Sequence, residues 1–202
     1  MERWKETLMQ LIPRLRPALN DPETRWALIG SAATALHGCA VEPRDLDFLA
    51  VSPQGVRRFL ELLAEFLPET CPHPVDHPDW LSSLARPMSD GPDEYGFTWH
   101  FARWRLHDVK VEVAHISPPT GFRSSADGRG IWEAGPEIWP HIVTVPLGSL
   151  SIPVVPLELQ LGTSMQRGLE DRVQAVVDVL QRGHDGALLH RALTDDQLAR
   201  FQ

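Results

Sequence analysis

Residues 26–51 read WALIGSAATALHGCAVEPRDLDFLAV, and the rest of the chain can be interpreted outward from them. Residues 26–29 are apolar and predict a short strand, which a Gly-Ser pair ends. Small residues favour a helix over 32–37, and Asp-Leu-Asp opens a second strand over 45–51. Strand, helix and strand in so short a stretch indicate an α/β domain.

Hydrophobic periodicity predicts the remaining elements. We expect helices over residues 3–19, 56–67 and 157–180, and strands over 95–106, 109–114, 142–145 and 152–155, with a hairpin turn at 107–108. Residues 68–93 and 117–141 are expected to be irregular, with a loop at 124–130. The predicted fold is α/β (α+β): a small mixed sheet with helices on one side. It forms one domain over residues 1–202, with a core at about 24–155 and a C-terminal helical segment at about 156–202.

Composition limits the possible functions. The chain has 202 residues, a formal net charge of −8, 43% apolar residues and two cysteines, Cys39 and Cys71. Such a charge disfavours general nucleic-acid binding, which draws on cationic surface. No run of about 18 apolar residues occurs, so we expect no membrane helix. So few cysteines favour a reducing, cytoplasmic location.

The chemistry is expected where the first two strands carry polar residues. Gly30 lets the backbone approach a phosphate, and Ser31 begins a helix whose free N–H groups suit an anion. Asp45 and Asp47 are two apart on a strand and therefore point to one face. Glu112 lies on a later alternating strand, and all three carboxylates meet if the two strands are neighbours. Clustered carboxylates raise one another's pKa values, and divalent magnesium, which prefers oxygen ligands, would relieve that repulsion.

These motifs resemble those of the nucleotidyltransferase superfamily, the polymerase-beta-like proteins. The resemblance rests on Leu28-Ile29-Gly30-Ser31 followed by Asp45-Leu46-Asp47-Phe48, with Glu112 at the position of the third acidic residue. It covers residues 24–182 and extends to small bacterial members that modify antibiotics or act as toxins in toxin–antitoxin pairs. It implies that Gly30 and Ser31 bind a triphosphate.

The same resemblance implies the reaction. Asp45, Asp47 and Glu112 would hold two Mg²⁺ ions and serve as the catalytic residues, and Glu112 would also take the acceptor's proton. A nucleoside monophosphate would pass from a nucleoside triphosphate, with ATP as the expected donor, to an acceptor hydroxyl on a small molecule, a tRNA or a protein. The family's C-terminal lysines are absent, and Arg167 or Arg172 is the candidate replacement. The alternative is a catalytically degenerate binding module, such as a toxin–antitoxin component.

Other polar and aromatic residues have simpler interpretations. The order Cys71, His73, Asp76 and His77 fits no common zinc spacing and indicates a surface loop. Most of the tryptophans are expected in the core, but Trp99 and Trp104 are candidates for stacking on a base or an acceptor.

Overall fold

The computed structural model describes residues 2–122 and 129–201. Within them, seven strands form one mixed sheet. They are β1 (Trp26–Ile29), β2 (Asp45–Ala50), β3 (Ser89–Pro92), β4 (Thr98–Leu106), β5 (Val109–Ser117), β6 (Val143–Leu147) and β7 (Leu150–Val154). Their order across the sheet is β3-β4-β5-β2-β1-β7-β6. The predicted mixed α/β architecture is therefore confirmed.

Seven α-helices occur in the same described residues. They are α1 (Arg3–Leu15), α2 (Gly30–Leu36), α3 (Pro53–Leu62), α4 (Leu157–Gln166), α5 (Glu170–Leu180), α6 (Gly186–Ala192) and α7 (Asp195–Phe201). None of these helices has the length and apolar character that crossing a membrane requires. The loop expected at 124–130 falls almost entirely outside the described residues.

The helix boundaries differ from the predictions for local reasons. The first helix ends at Leu15 and continues to Asn20 as a 3-10 turn, because Pro17 has no N–H to donate to the preceding turn. The third begins at Pro53 because the Ser52 hydroxyl caps it, accepting the N–H groups of Gln54 and Gly55 at 3.1 and 3.3 Å. The helical region predicted at 157–180 is two helices, α4 and α5, separated by a turn at 167–169.

One face of the sheet packs on α1 and α3 to form the main core. Its centre is aromatic: the ring centroids of Trp26 and Phe48 lie 5.4 Å apart, and Phe59 on α3 lies 5.4 Å from Phe48. A second cluster of buried side chains, including Leu161 and Val176, joins the C-terminal helices. The sheet is thus anchored from one side, which leaves the opposite face of β2, β5 and β4 available for a site.

Candidate active site

Strand pairing brings the predicted carboxylates together. The parallel pairing of β2 with β5 places Asp47 opposite Glu112 and Asp45 opposite Lys110. Paired residues on neighbouring strands share a face, so all four side chains project from the sheet face opposite α1 and α3. The structure therefore groups Asp45, Asp47 and Glu112 as the sequence suggested, with the strands as direct neighbours.

Two cations of the chain itself enter this cluster. The Lys110 Nζ lies 3.6 Å from Asp45 Oδ2 and 3.4 Å from Glu112 Oε1. The Arg103 Nε donates to the same Glu112 oxygen at 2.6 Å, and both side chains of that pair are largely buried. The sequence reasoning assigned the relief of repulsion to metal ions, whereas in the structure Lys110 and Arg103 already supply part of it.

Arg103 was missed at the sequence level, although a signal for it existed. A two-residue turn at His107 and Asp108 fixes the pairing of β4 with β5, and both turn residues have positive φ, at 49° and 65°. Counting outward from that turn places Arg103 directly opposite Glu112. The register of the hairpin thus predicts that Arg103 lies beside Glu112.

The surroundings of Asp47 disfavour its negative charge. Burial raises its pKa well above the usual range, and the charges of Asp45 and Glu112 and a hydrogen bond with Glu112 raise it further. The Lys110 charge acts in the opposite direction. These effects favour the protonated form of Asp47, whereas a bound cation would favour its carboxylate form.

The backbone of Gly30 comes very close to this carboxylate. Gly30 begins α2 with φ of +67°, and a Cβ atom there would lie 2.7 Å from Asp47 Oδ2. The neighbouring Ser31 hydroxyl donates to Asp45 Oδ1 at 3.4 Å. The first turn of α2 thus faces the acidic cluster, which consists of Asp45, Asp47 and Glu112. Glycine is the residue that allows both the left-handed backbone at this position and its close approach to Asp47.

A fourth carboxylate, from outside every sequence motif, belongs to the same site. The Gly30 N–H donates to Glu133 Oε1 at 2.9 Å, and Glu133 is buried. Burial raises the pKa of Glu133, while the hydrogen bond from Gly30 and the charges of Arg172 and Arg167 oppose the shift. Glu133 lies in a segment with no periodicity, so its position could not be read from the sequence.

These groups line one cleft of about 440 Å³. Its wall includes the acidic cluster, Lys110, Gly30, Glu133 and Arg167, together with apolar and aromatic side chains from β4, β5 and the segment around Trp132. Arg167 thus lies in the cleft, as suggested for one of the two candidate arginines. Arg172 lines a separate surface pocket beside Ser31 and Glu170.

The three carboxylates are candidate ligands for Mg²⁺. Asp45, Asp47 and Glu112 supply carboxylate oxygens, which are the ligands that this ion prefers. Among residues 2–122 and 129–201, however, no group of three or more Asp, Glu, His or Cys side chains is arranged so that it could hold a metal ion. The chemistry of the three carboxylates suits Mg²⁺, but their arrangement in this structure is not that of a metal site, and Lys110 contacts both Asp45 and Glu112.

The structure separates the two candidate stacking residues. Trp104 is 1% exposed and belongs to the main core, so the suggestion that it stacks on a ligand is wrong. Trp99 is 37% exposed and lines the cleft. His115 points to the opposite face from Glu112, as alternation predicts, where Nδ1 lies 3.1 Å from the Ala50 carbonyl oxygen.

The sequence matches no protein-family model and no curated protein. The structure, in contrast, is similar to the crystal structure of a "putative nucleotidyltransferase" from Thermotoga maritima, with a TM-score of 0.55 and 20% sequence identity. The alignment covers 91% of this chain and 97% of that chain. The chain therefore has a nucleotidyltransferase-type fold, as the sequence motifs predicted.

Proposed function

We propose that this protein is a magnesium-dependent nucleotidyltransferase that moves a nucleoside monophosphate from a nucleoside triphosphate, with ATP as the expected donor, to an acceptor hydroxyl. The observation that carries the proposal is the pairing of Asp47 with Glu112 on neighbouring strands, beside Asp45 and against the Gly30 backbone. Buried carboxylates require partners, and among the described residues the three carboxylates of this cluster outnumber the two cations that contact them, Lys110 and Arg103.

Each residue has a role in this reaction. Asp45, Asp47 and Glu112 would hold two magnesium ions, which when bound supply charge stabilisation for an in-line displacement. Gly30 and Ser31 would bind the outer phosphates, and Arg167 would add a positive charge from α4. The acceptor oxygen bonds to the α-phosphorus, the bond from that phosphorus to the bridging oxygen breaks, and pyrophosphate leaves. The hydroxyl proton passes to a carboxylate of the cluster.

We further propose that the chain belongs to the polymerase-beta-like branch of these enzymes. The support is the spacing between Gly30-Ser31, at the start of α2, and Asp45-x-Asp47 on β2, which is the spacing of the motifs that carry the resemblance. A relation to small antibiotic-modifying or toxin-type members is the narrower form of this proposal. It rests on the sequence motifs and on the helices that follow β7.

The experiment that tests this proposal measures nucleotide binding. A nonhydrolysable ATP analogue is titrated into the protein by calorimetry with and without Mg²⁺, and the other three nucleoside triphosphate analogues follow. We expect Mg²⁺-dependent binding that Asp45→Asn and Asp47→Asn each weaken by about tenfold or more, because each removes an anionic metal ligand. Asp196→Asn, at an exposed position on α7, is the matched control and should bind as the unaltered protein does.

The two variants also separate the proposal from its alternative. If all variants retain their melting temperature but no nucleotide binds with Mg²⁺, the fold acts as a degenerate binding module, such as a toxin–antitoxin component. If nucleotide binds equally well to Asp45→Asn, Asp47→Asn and the control, the acidic cluster is not the metal site. Either result would overturn the proposed activity.

A further inference from the structure

The sheet face that carries the acidic cluster changes character abruptly along the strands. Level with Glu112, the three strands present Asp47, Glu112 and Arg103. Two residues further along β5, the same face presents Ala114 opposite Phe101, and then Ile116 opposite Trp99. The cleft therefore has a charged half and an apolar, largely aromatic half that adjoin directly, and both lie in the same 440 Å³.

The aromatic walls of this apolar half are held in place. The Trp99 indole Nε1 donates to Asp93 Oδ2 at 2.9 Å, which fixes the ring while leaving 37% of the residue exposed. Trp132 packs edge-on to Phe97 with ring centroids 5.3 Å apart. The Arg103 guanidinium lies 5.1 Å from the Phe101 ring centroid. Rings positioned in this way offer a flat ligand contact area without the cost of ordering side chains.

The geometry of phosphoryl transfer assigns a role to this half. In an in-line displacement the attacking and leaving oxygens lie on opposite sides of the phosphorus. On the proposed function, the leaving pyrophosphate lies toward Gly30, at the β1 side of the cluster. The attacking hydroxyl must then approach from the β4 side, where Phe101 and Trp99 line the cleft. The apolar half is thus where the body of the acceptor would lie.

The charges of the cleft restrict the class of acceptor. Among the described residues that line the cleft, Glu133 is the one carboxylate outside the acidic cluster, and it already accepts the Gly30 N–H. Beside Trp99, the Asp93 carboxylate is engaged by the indole N–H. The chain's net charge of −8 disfavours a polynucleotide acceptor, and a cleft of this volume is in the range of small-molecule sites.

We propose that the acceptor is a small molecule with an aromatic ring system and a hydroxyl group, whose ring packs against Trp99 and Phe101. The inference rests on the proposed function for the direction of attack. The acceptor oxygen bonds to the α-phosphorus as the bond to the bridging oxygen breaks, pyrophosphate leaves, and the hydroxyl proton passes to the acidic cluster. On this proposal, Trp99 is the residue that determines which acceptors the cleft binds.

The experiment uses 2-naphthol as the probe and measures its dissociation constant by calorimetry, with the ATP analogue and Mg²⁺ present. We expect Trp99→Ala to weaken 2-naphthol binding about tenfold, because it removes the ring on which the probe stacks. Trp99→Phe should restore most of that affinity. Tyr95→Ala, which removes an exposed ring outside the cleft, is the matched control and should leave binding unchanged. Melting temperatures confirm that each variant folds.

Three outcomes would overturn the inference. Absence of 2-naphthol binding, or binding that Trp99→Ala leaves intact, shows that the aromatic half does not take the acceptor. Tighter binding of a polyamino sugar than of 2-naphthol gives the wrong acceptor class. Weakened binding of the ATP analogue by Trp99→Ala, measured alone, assigns the ring to the nucleobase. The proposed function fails separately, if the analogue does not bind the unaltered protein with Mg²⁺.

Discussion

The backbone N–H of Gly30 donates to the Glu133 carboxylate, with 2.9 Å between N and Oε1. This bond joins the first residue of α2 to a side chain from the irregular segment before β6. It occupies the backbone donor that the sequence assigned to a phosphate. Glu133 therefore stands where an anion is expected, and its charge is balanced in part by Arg167 and Arg172.

Replacing Glu133 with Gln should raise stability at neutral pH. Burial raises the pKa of Glu133, so the folded protein binds its proton more tightly than the unfolded chain does. The stability from this group is fully present below the unfolded pKa of about 4.3 and is lost as pH rises through the folded pKa. Because Gln does not titrate and can still accept the Gly30 N–H, the melting temperature of Glu133→Gln relative to the unaltered protein should be higher at pH 7.5 than at pH 5. A constant difference would contradict this.

The same substitution should tighten nucleotide binding. A triphosphate at the start of α2 has to compete with the Glu133 carboxylate for the Gly30 N–H, and the two anions repel each other at close range. Glu133→Gln removes the negative charge and should lower the dissociation constant of the ATP analogue about threefold to tenfold. Glu94→Gln, at an exposed position before β4, is the control. Weaker binding to Glu133→Gln would instead make the carboxylate part of the nucleotide site.

The strands of the acidic cluster could be predicted from the sequence because local patterns encode them. Alternation over β2 and β5 places Asp45, Asp47 and Glu112 on defined faces, and the two-residue turn at His107 fixes the register of β4. The edge strand β3 was missed because Ser-Asp-Gly-Pro contains no residue that favours a strand; pairing with β4 alone supports it. Glu133 was missed for a related reason: its position is set by tertiary packing and by no local periodicity.

The three carboxylates should differ in what they do to stability. The sequence alone suggests that removing any one of them, without metal, is neutral or stabilising. The structure limits that expectation to Asp47, whose pKa is raised by burial and by neighbouring negative charges. Asp47→Asn should keep or raise the melting temperature without Mg²⁺. Glu112→Gln should lower stability by about 1–3 kcal/mol, because it leaves the largely buried Arg103 without its charged partner. If Asp47→Asn and Glu112→Gln change the free energy of unfolding equally in denaturant melts, the ion pair between Arg103 and Glu112 does not distinguish the two carboxylates.

Gly30 should tolerate no side chain. Gly30→Ala incurs the cost of a left-handed backbone, about 1–2 kcal/mol, and places a Cβ atom 2.7 Å from Asp47 Oδ2. Gly148→Ala is the matched control, because its φ is +60° and no atom lies within 4 Å of a Cβ there. Gly30→Ala should therefore lose more stability than Gly148→Ala in denaturant melts, and it alone should weaken binding of the Mg²⁺–ATP analogue. Equal losses of stability would mean that Asp47 moves aside freely.

Stability should fall as pH falls below about 6.5, in part because of His37. His37 is partly buried at the C-terminal end of α2, and its Nε2 lies 2.9 Å from the Val155 carbonyl oxygen. Burial lowers its pKa, although the Val155 hydrogen bond and the Glu158 charge oppose the shift. The folded protein therefore binds this proton less tightly than the unfolded chain. Stability is fully present above the unfolded pKa and is lost as pH falls through the range down to the folded value.

His37→Gln isolates this contribution. A Gln side chain keeps an N–H group that can donate to Val155 but does not titrate, so denaturant melts of the variant should lose less stability between pH 7.5 and pH 5.5 than those of the unaltered protein. Part of the loss should remain, since burial and the charge of His100 also lower the pKa of His115. The control, His190→Gln at an exposed position on α6, should retain the full dependence. If His37→Gln also retains it, the imidazole is protonated without cost in the folded state, and water or Glu158 must then stabilise the charged ring beside α4.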